Sequence, residues 1–149
     1  MQPQKSAKNF IIRSYLQGLK EEPPFYFQTN DAFFPKEEPK IKALLENKDI
    51  TVLVAYVYDG ITPYGGPFEL ATDKPILGWL IVEPPNIFHA MFIKPAFRHK
   101  GEGRRLILLG YNHLDKPKIC ELRTPKKSLF RTLRAVLKPQ AQIRYKAAQ

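Results

Sequence analysis

The sequence has very little cysteine, and this scarcity excludes two common ways of stabilising a small protein. Cys120 is the one cysteine among 149 residues, so an intramolecular disulfide framework is excluded. The three histidines, His89, His99 and His113, are widely spaced and do not have the spacing of a zinc site. We therefore expect a reducing compartment, no bound metal and a core of apolar side chains.

Long apolar runs are also missing. No run reaches the roughly 20 residues that a membrane-spanning helix needs, and residues 1–9 are polar where a signal peptide would have an apolar centre. These absences predict a soluble, cytoplasmic protein without a membrane partner. The apolar share of 44%, with 10 Phe, 7 Tyr and 1 Trp, is typical of a globular protein and not of a disordered one.

Acidic residues are scarce relative to basic ones. Lys and Arg number 24 and Asp and Glu number 14, which gives a net charge of +10. Such a surplus attracts polyanions, and nucleic acid, an acidic protein surface and a phosphorylated cofactor all have the required sign. The length fits a single domain, residues 1–149. Charge alone does not distinguish among these partners, so the local sequence pattern has to do so.

The apolar pattern predicts an α/β fold with the order α-α-β-β-β-α-β-α-β. Four segments have apolar residues at helical spacing, namely residues 9–20, 35–47, 103–114 and 126–138. Five segments have the composition of strands, namely residues 50–58, 76–82, 87–93, 118–123 and 142–146. The first strand is expected to be buried on both faces, and the second and third to form a hairpin. Residues 59–75, rich in Gly and Pro, predict a long loop, either a flap that contacts substrate or a simple insertion.

The most informative segment is residues 93–106, where a predicted strand enters a turn with two glycines and a helix follows at once. Gly101 and Gly103 allow positive φ and close approach of a ligand, so that successive N–H groups can point inward beside the positive helix N-terminus. Four basic side chains surround this turn: Arg98, Lys100, Arg104 and Arg105. The segment therefore predicts a cradle for phosphate groups.

This segment resembles the signature R-x-x-G-x-G/A of the GNAT superfamily of N-acetyltransferases. The flanks agree, with Ile93 ending the strand, Pro95 following and Phe97 preceding the arginine. The matched residues are Arg98-His99-Lys100-Gly101-Glu102-Gly103. The order of elements is also similar, and the resemblance implies a central mixed, mostly antiparallel sheet with helices on both faces. The family often has a strand before its first helix; here residues 1–8 are polar, so either the sheet lacks it or residues 25–28 substitute.

The resemblance also implies acetyl-CoA, or another acyl-CoA, as co-substrate and direct transfer of the acyl group to an amine acceptor. Amides of residues 99–104 would bind the pyrophosphate, and amides of residues 91–93 would hold the thioester carbonyl. The strand before the motif would separate from its neighbour around Cys120, and the pantetheine arm would lie in the gap. The implied cofactor-binding residues are Met91, Phe92, Ile93, Arg98, His99, Lys100, Gly101, Glu102, Gly103 and Arg104.

Transfer to an amine needs a base, and it can use an acid for the leaving thiolate. The family often has a carboxylate where this chain has Ile87, so the candidates for the base are His89, two residues further on, and Glu83. The alternatives are a packed core histidine and a solvated carboxylate. The family's last helix usually offers a tyrosine where this chain has Phe130, and Tyr145 is the candidate substitute for the acid.

Other functions stay open. The hypothesis that Cys120 is an acyl-carrying nucleophile is weaker than direct transfer, because a free cysteine is usually buried. A basic set near the end of the chain can bind phosphate backbones or form a solvated helix face, and a nucleic-acid partner is possible but not favoured. This set is Lys126, Lys127, Arg131, Arg134, Lys138, Arg144 and Lys146.

The leading hypothesis is therefore an N-acetyltransferase, and the second is a non-catalytic GNAT-like domain that binds a protein or nucleic acid. The positive charge of the chain disfavours free polyamines as acceptors and favours an acidic protein, a peptide or a nucleotide-linked amine. Residues 76–83 followed by the motif are similar to small acetyltransferase-like proteins of tailed phages, which suggests a phage origin.

Overall fold

The structure, a computed structural model, describes residues 5–22, 33–124 and 126–146. The α-helices within these residues are α1 (Ala7–Glu21), α2 (Phe33–Leu45), α3 (Glu102–His113) and α4 (Lys127–Leu137). The strands are β1 (Lys5–Ser6), β2 (Thr51–Tyr56), β3 (Gly60–Gly65), β4 (Ala71–Thr72), β5 (Ile76–Glu83), β6 (Ile87–Ile93), β7 (Ile119–Leu122) and β8 (Gln142–Tyr145). None of the described helices combines the length and the apolar character that crossing a membrane requires.

Six strands form one sheet in the order β3-β2-β5-β6-β7-β8. The strands from β3 to β6 pair antiparallel, whereas β6 with β7 and β7 with β8 are parallel. One apolar cluster packs α3 and α4 on one face of this sheet, and the other packs α1 and α2 on the opposite face. The predicted α/β fold, with a mostly antiparallel sheet flanked by helices, is confirmed.

Strand β2 shows why the sheet needs helices on both sides. Its residues from Val52 to Tyr56 are all buried. Leu53 and Ala55 belong to the cluster beneath α3 and α4, while Val52 and Val54 belong to the cluster beneath α1 and α2. Alternate side chains of a strand point to opposite faces, so a continuous apolar run requires cover on both.

The prediction of a long loop over residues 59–75 is wrong. This segment contains β3, which pairs with β2 as a hairpin, and β4. Gly60, with φ of 78°, allows the tight turn after Asp59. Pro63 is tolerated because β3 is an edge strand of the sheet, where a missing N–H breaks no ladder on the open side.

Residues before the first helix add no strand to the six-stranded sheet in the part that the structure describes. Lys5 and Ser6 form β1, which pairs with β4 in a separate two-stranded sheet. The alternative edge strand, residues 25–28, lies outside the described residues. The main sheet therefore has β3 at one edge and β8 at the other.

Candidate functional site

Strands β6 and β7 pair only between the first two residues of β6 and the last two of β7. Ile87 pairs with Glu121 and Phe88 with Leu122, and the N–H of Arg123 donates to the Phe88 carbonyl at 3.0 Å. No further pair joins the two strands in the described structure, although β6 continues to Ile93. A gap therefore opens beside the second half of β6.

The separation begins later than the sequence predicted. Cys120 lies inside β7, in register with Ile143 of β8. Strand β7 separates from β6 only beyond Leu122. Cys120 is fully buried, and burial raises the pKa of its thiol to about 11. A protonated, inaccessible thiol is a poor nucleophile, so the structure gives no support to Cys120 as an acyl carrier.

The main chain of β6 directs donors into this gap. The N–H of Lys94 donates to the Leu77 carbonyl at 2.8 Å, which shows the side that faces β5. Because antiparallel strands alternate in the direction of their polar groups, the N–H groups of Met91 and Ile93 point away from β5. The Ile93 carbonyl also points away from β5, since it accepts a hydrogen bond from Nε of Arg98 at 2.7 Å.

A cavity of about 460 Å³ borders the gap. Its wall contains eight of the ten residues that the family resemblance implied: Met91, Phe92, Ile93, Arg98, His99, Gly101, Gly103 and Arg104. Lys100 and Glu102 do not line it. The opposite wall comes from the end of α1 and the beginning of α4, through Glu21, Glu22, Lys126, Ser128, Leu129 and Thr132. These six residues were not predicted to belong to the site, because they are far from the motif along the chain.

The N-terminus of α3 opens onto this cavity without a side-chain cap. Its N-cap residue, Gly101, has φ of 86° and no side-chain hydrogen bond. The first intrahelical donor near it is the N–H of Arg105, which reaches the Gly101 carbonyl at 3.1 Å. The preceding amides have no carbonyl one turn back, and His99 also has a positive φ, 64°. Successive amides in such a turn can converge on an anion.

The arginine of the motif has another partner. Arg98 forms a bidentate ion pair with Glu21, with Nη1 to Oε2 at 2.7 Å and Nη2 to Oε1 at 3.1 Å. Its guanidinium also lies 5.3 Å from the centre of the Phe92 ring. We expected Arg98 to face phosphate; instead it joins α1 to the motif, and its hydrogen bond lowers the pKa of Glu21.

The remaining charges of the motif divide into paired and unpaired groups. Arg105 is paired with Glu102 at 3.1 Å, which reduces the charge available to a ligand. Lys100 and Arg104 are exposed and make no ion pair with any described residue. Arg104 is the one of these two that lines the cavity, so it is the side chain best placed to add charge to the uncapped amides.

A β-bulge places His89. Ile81 pairs with Ala90 but Val82 pairs with Phe88, so His89 is an extra residue on β6. Phe88 packs in one core cluster and Ala90 in the other, which shows that the bulge breaks the alternation of the strand. Bulges are a common way to redirect a side chain near a functional site.

The two candidates for the base form a pair. Nε2 of His89 lies 2.8 Å from Oε1 of Glu83, with side chains only 12% and 21% exposed. Nδ2 of Asn47 reaches the same oxygen at 3.5 Å. Burial lowers the pKa of His89, and the hydrogen bond and charge of Glu83 oppose that change. The imidazole is therefore neutral near pH 7, as a base requires. From the sequence the two residues were separate alternatives for the base, although the predicted β5–β6 hairpin already placed them near each other.

Tyr145, the candidate for the acid, does not line the cavity, and neither do His89 and Glu83, the candidates for the base. Tyr145 lies on β8 in register with Leu122 of β7, and it is not a lining residue. Phe130 packs against the core, with the guanidinium of Arg134 5.8 Å from its ring centre. The side chains of α4 that do line the cavity are Ser128, Leu129 and Thr132.

Among the described residues, no group of three His, Cys, Asp or Glu side chains has an arrangement that could hold a metal ion. Comparison with protein-family models, curated proteins and solved structures gives no match. The resemblance of residues 98–103 to the GNAT signature therefore stays a prediction.

Proposed function

We propose that this protein is an N-acyltransferase that moves an acetyl group from acetyl-CoA directly to an amine of an acceptor. One observation carries this proposal: a cavity beside the unpaired half of β6 has main-chain donors along one wall and an uncapped helix N-terminus at its edge. Its volume of about 460 Å³ is in the range of small-molecule sites. The free Cys120 is consistent with a cytoplasmic location.

The two kinds of donor suit two parts of the same co-substrate. The amides at the start of α3, with Arg104 beside them, would bind the pyrophosphate, because a helix N-terminus offers unpaired N–H groups and a partial positive charge. The gap beside β6 would hold the pantetheine arm. The N–H groups of Met91 and Ile93 would then donate to the thioester oxygen and to the negative charge that develops on it.

The His89–Glu83 pair would supply the base through a bridging water, because neither side chain lines the cavity. With Nε2–H of His89 donated to the Glu83 carboxylate, Nδ1 is left unprotonated and can accept the proton of the amine by way of that water. The amine nitrogen forms the new bond to the carbonyl carbon, the C–S bond breaks, and its electron pair leaves with sulfur. Glu83 stabilises the imidazolium that forms, as a carboxylate does for the histidine of hydrolytic triads.

The charge of the protein favours an acceptor of negative charge. A net charge of +10 repels free polyamines, so we expect the amine of an acidic protein, a peptide or a nucleotide. The competing hypothesis is a non-catalytic domain of similar shape that binds a protein or nucleic acid. It is supported by Phe130 and Ile87, which have no proton to exchange at the positions where the family has its acid and base.

Calorimetric titration with acetyl-CoA separates these hypotheses. The enzyme hypothesis expects saturable binding, and the absence of binding at millimolar acetyl-CoA would refute it. Cleavage of the thioester is then followed with a panel of amine acceptors. His89→Gln should lower the rate about 10²-fold or more, the usual contribution of a general base, while leaving acetyl-CoA affinity unchanged.

The pH dependence gives an independent test of the base. The pKa of His89 is lowered by burial, so its neutral form persists below the ordinary histidine value of about 6.5. We expect the rate to be constant through neutral pH and to fall only at more acidic pH, as His89 takes up a proton. His89→Gln should lack this acidic limb, and an unchanged limb in the variant would assign the base elsewhere.

A further inference from the structure

The proposed transfer needs a proton donor for the departing thiolate, and neither Phe130 nor Tyr145 lines the cavity. A second, narrow cavity of about 10 Å³ lies between α1 and β6. It shares Met91, Phe92 and Lys126 with the large cavity. Lys126 therefore stands where both cavities meet the wall of β6, close to the amides proposed to hold the thioester.

The other polar side chains of the narrow cavity are already engaged. The hydroxyl of Tyr15 donates to Glu37 at 3.0 Å, that of Ser14 to a main-chain carbonyl of its own helix at 2.7 Å, and that of Thr124 to the carbonyl of His89. The ammonium of Lys126 has no hydrogen bond or ion pair with any described residue. It is thus the donor with protons to offer.

The surroundings of Lys126 favour release of a proton. Nζ lies where a side chain on Gly18 would be, 3.3 Å from the position of its missing Cβ, so a glycine in α1 makes room for it. The charged groups that face it are Glu21 and Glu22 from α1 and Arg98 from the motif. Burial is the largest influence and lowers the pKa of Lys126, Arg98 acts in the same direction, and the two carboxylates oppose them.

We propose that the Lys126 ammonium faces the sulfur of the bound acyl-CoA and gives its proton to the leaving thiolate. As the C–S bond breaks, its electron pair goes to sulfur, an N–H bond of Lys126 breaks, and the proton forms the S–H bond of the free thiol. His89 holds the proton of the amine at that stage, and exchange with water restores both residues. This inference rests on the proposed function and supplies the acid that Phe130 lacks.

The thiol of free coenzyme A is the probe, because it needs no knowledge of the acceptor. Ultraviolet absorbance of the thiolate is titrated against pH for coenzyme A alone and bound to the protein. Bound to the wild type, the thiol should ionise at lower pH, with an ionisation constant raised about tenfold or more by the nearby cation. Lys126→Met should abolish this difference, whereas Lys127→Met, at the exposed neighbour that does not line the cavity, should keep it.

Lys126→Arg separates charge from proton donation and serves if Lys126→Met does not fold. Arginine should retain part of the effect on thiol ionisation but should not restore the rate of thioester cleavage, because it does not release its proton at accessible pH. Wild-type cleavage rates in Lys126→Arg would overturn proton donation. If the thiol of coenzyme A ionises at the same pH when it is bound to the wild type and to Lys126→Met, this inference alone is overturned. No binding of coenzyme A to the wild type would overturn the proposed function with it.

Discussion

Two helices begin at the wall of the same cavity, and their N-termini are treated differently. Neither α3 nor α4 has a capping side chain at its own N-cap residue, which is Gly101 in one and Lys126 in the other. At α4 the carboxylate of Glu22 accepts from the N–H of Ser128 at 2.9 Å and also from its hydroxyl. At α3 no carboxylate from another element takes that place among the described residues.

Of the two helix N-termini, only that of α3 lacks a capping carboxylate among the described residues, so it is the one available to a ligand. Both ends carry the partial positive charge of a helix N-terminus, so both attract anions. Glu22 satisfies the end of α4 and ties α1 to it, which closes one side of the gap. The end of α3 has glycine at its N-cap and no capping side chain, and this is the end at which we propose that phosphate binds.

The largest expected effect comes from placing an anion at the open end. In Gly103→Asp, a carboxylate in the first turn of α3 would occupy the phosphate position, and like charges in contact cost several kcal/mol. We expect acetyl-CoA affinity to fall about 100-fold or more by calorimetry. Thermal stability should be unchanged or raised, since an acid in the first turn favours the helix.

Gly103→Ala is the matched control. A Cβ at this position would lie 3.4 Å from Cε of Met91, an ordinary contact, so the backbone and its amides should stay in place. We expect affinity within about threefold of the wild type and a helix stabilised by up to about 1 kcal/mol. Equal loss of binding in both variants would point to crowding and not to charge.

The second-largest effect is expected from removing the carboxylate that caps the N-terminus of α4. Glu22→Ala removes the acceptor for Ser128, and the loss of a helix cap should lower the free energy of unfolding by about 1 kcal/mol. Urea denaturation measures it, and Glu22→Gln, which retains an acceptor oxygen, should lose less. Acetyl-CoA affinity should change little. A loss of affinity as large as that of Gly103→Asp would contradict the assignment of phosphate to α3.

The smallest effect concerns Glu21, the neighbour that pairs with Arg98 instead of a helix end. Both side chains are about one-third exposed, at 34% and 33%, so solvent screens the pair and Glu21→Gln should cost about 0.5 kcal/mol at neutral pH. The pKa of Glu21 is lowered by Arg98, so this contribution is present above the ordinary carboxyl value of about 4.3 and is lost as pH falls below it. Urea denaturation of wild type and variant should therefore converge in acid. A difference that persists at low pH would show that the ion pair is not its source.

Local pattern predicted most of the fold. All four predicted helices and all five predicted strands are present within two residues of their expected bounds. The motif segment has the predicted strand, turn and helix, and Gly101 has the positive φ that its position suggested. The missed hairpin had a local signal too, because Asp59-Gly60 is a favoured turn sequence, but the prolines that follow it favoured a loop. Proline excludes a central strand and tolerates an edge one, and the edge position of β3 is not visible in the sequence.

The site was less predictable than the fold. One wall of the cavity contains eight of the ten residues that the resemblance implied, but the opposite wall comes from α1 and α4. Arg98 was expected to face phosphate and pairs with Glu21, 77 residues away. His89 and Glu83 were considered apart, and only the register of β5 and β6, with its bulge, brings them into one hydrogen bond.

The sequence by itself determined the continuous apolar run of β2, the amphipathic helices and the glycine-rich turn before α3. These features depend on backbone preferences and side-chain spacing within a few residues. Tertiary structure decided where β6 and β7 separate, which helix end is capped and which is left open. The contact of Glu22 with Ser128 spans 106 residues, and a contact of that range forms only when packed helices bring the two groups together. Most side-chain partners in this site are therefore set by packing, while the turn that would receive phosphate is set by local sequence.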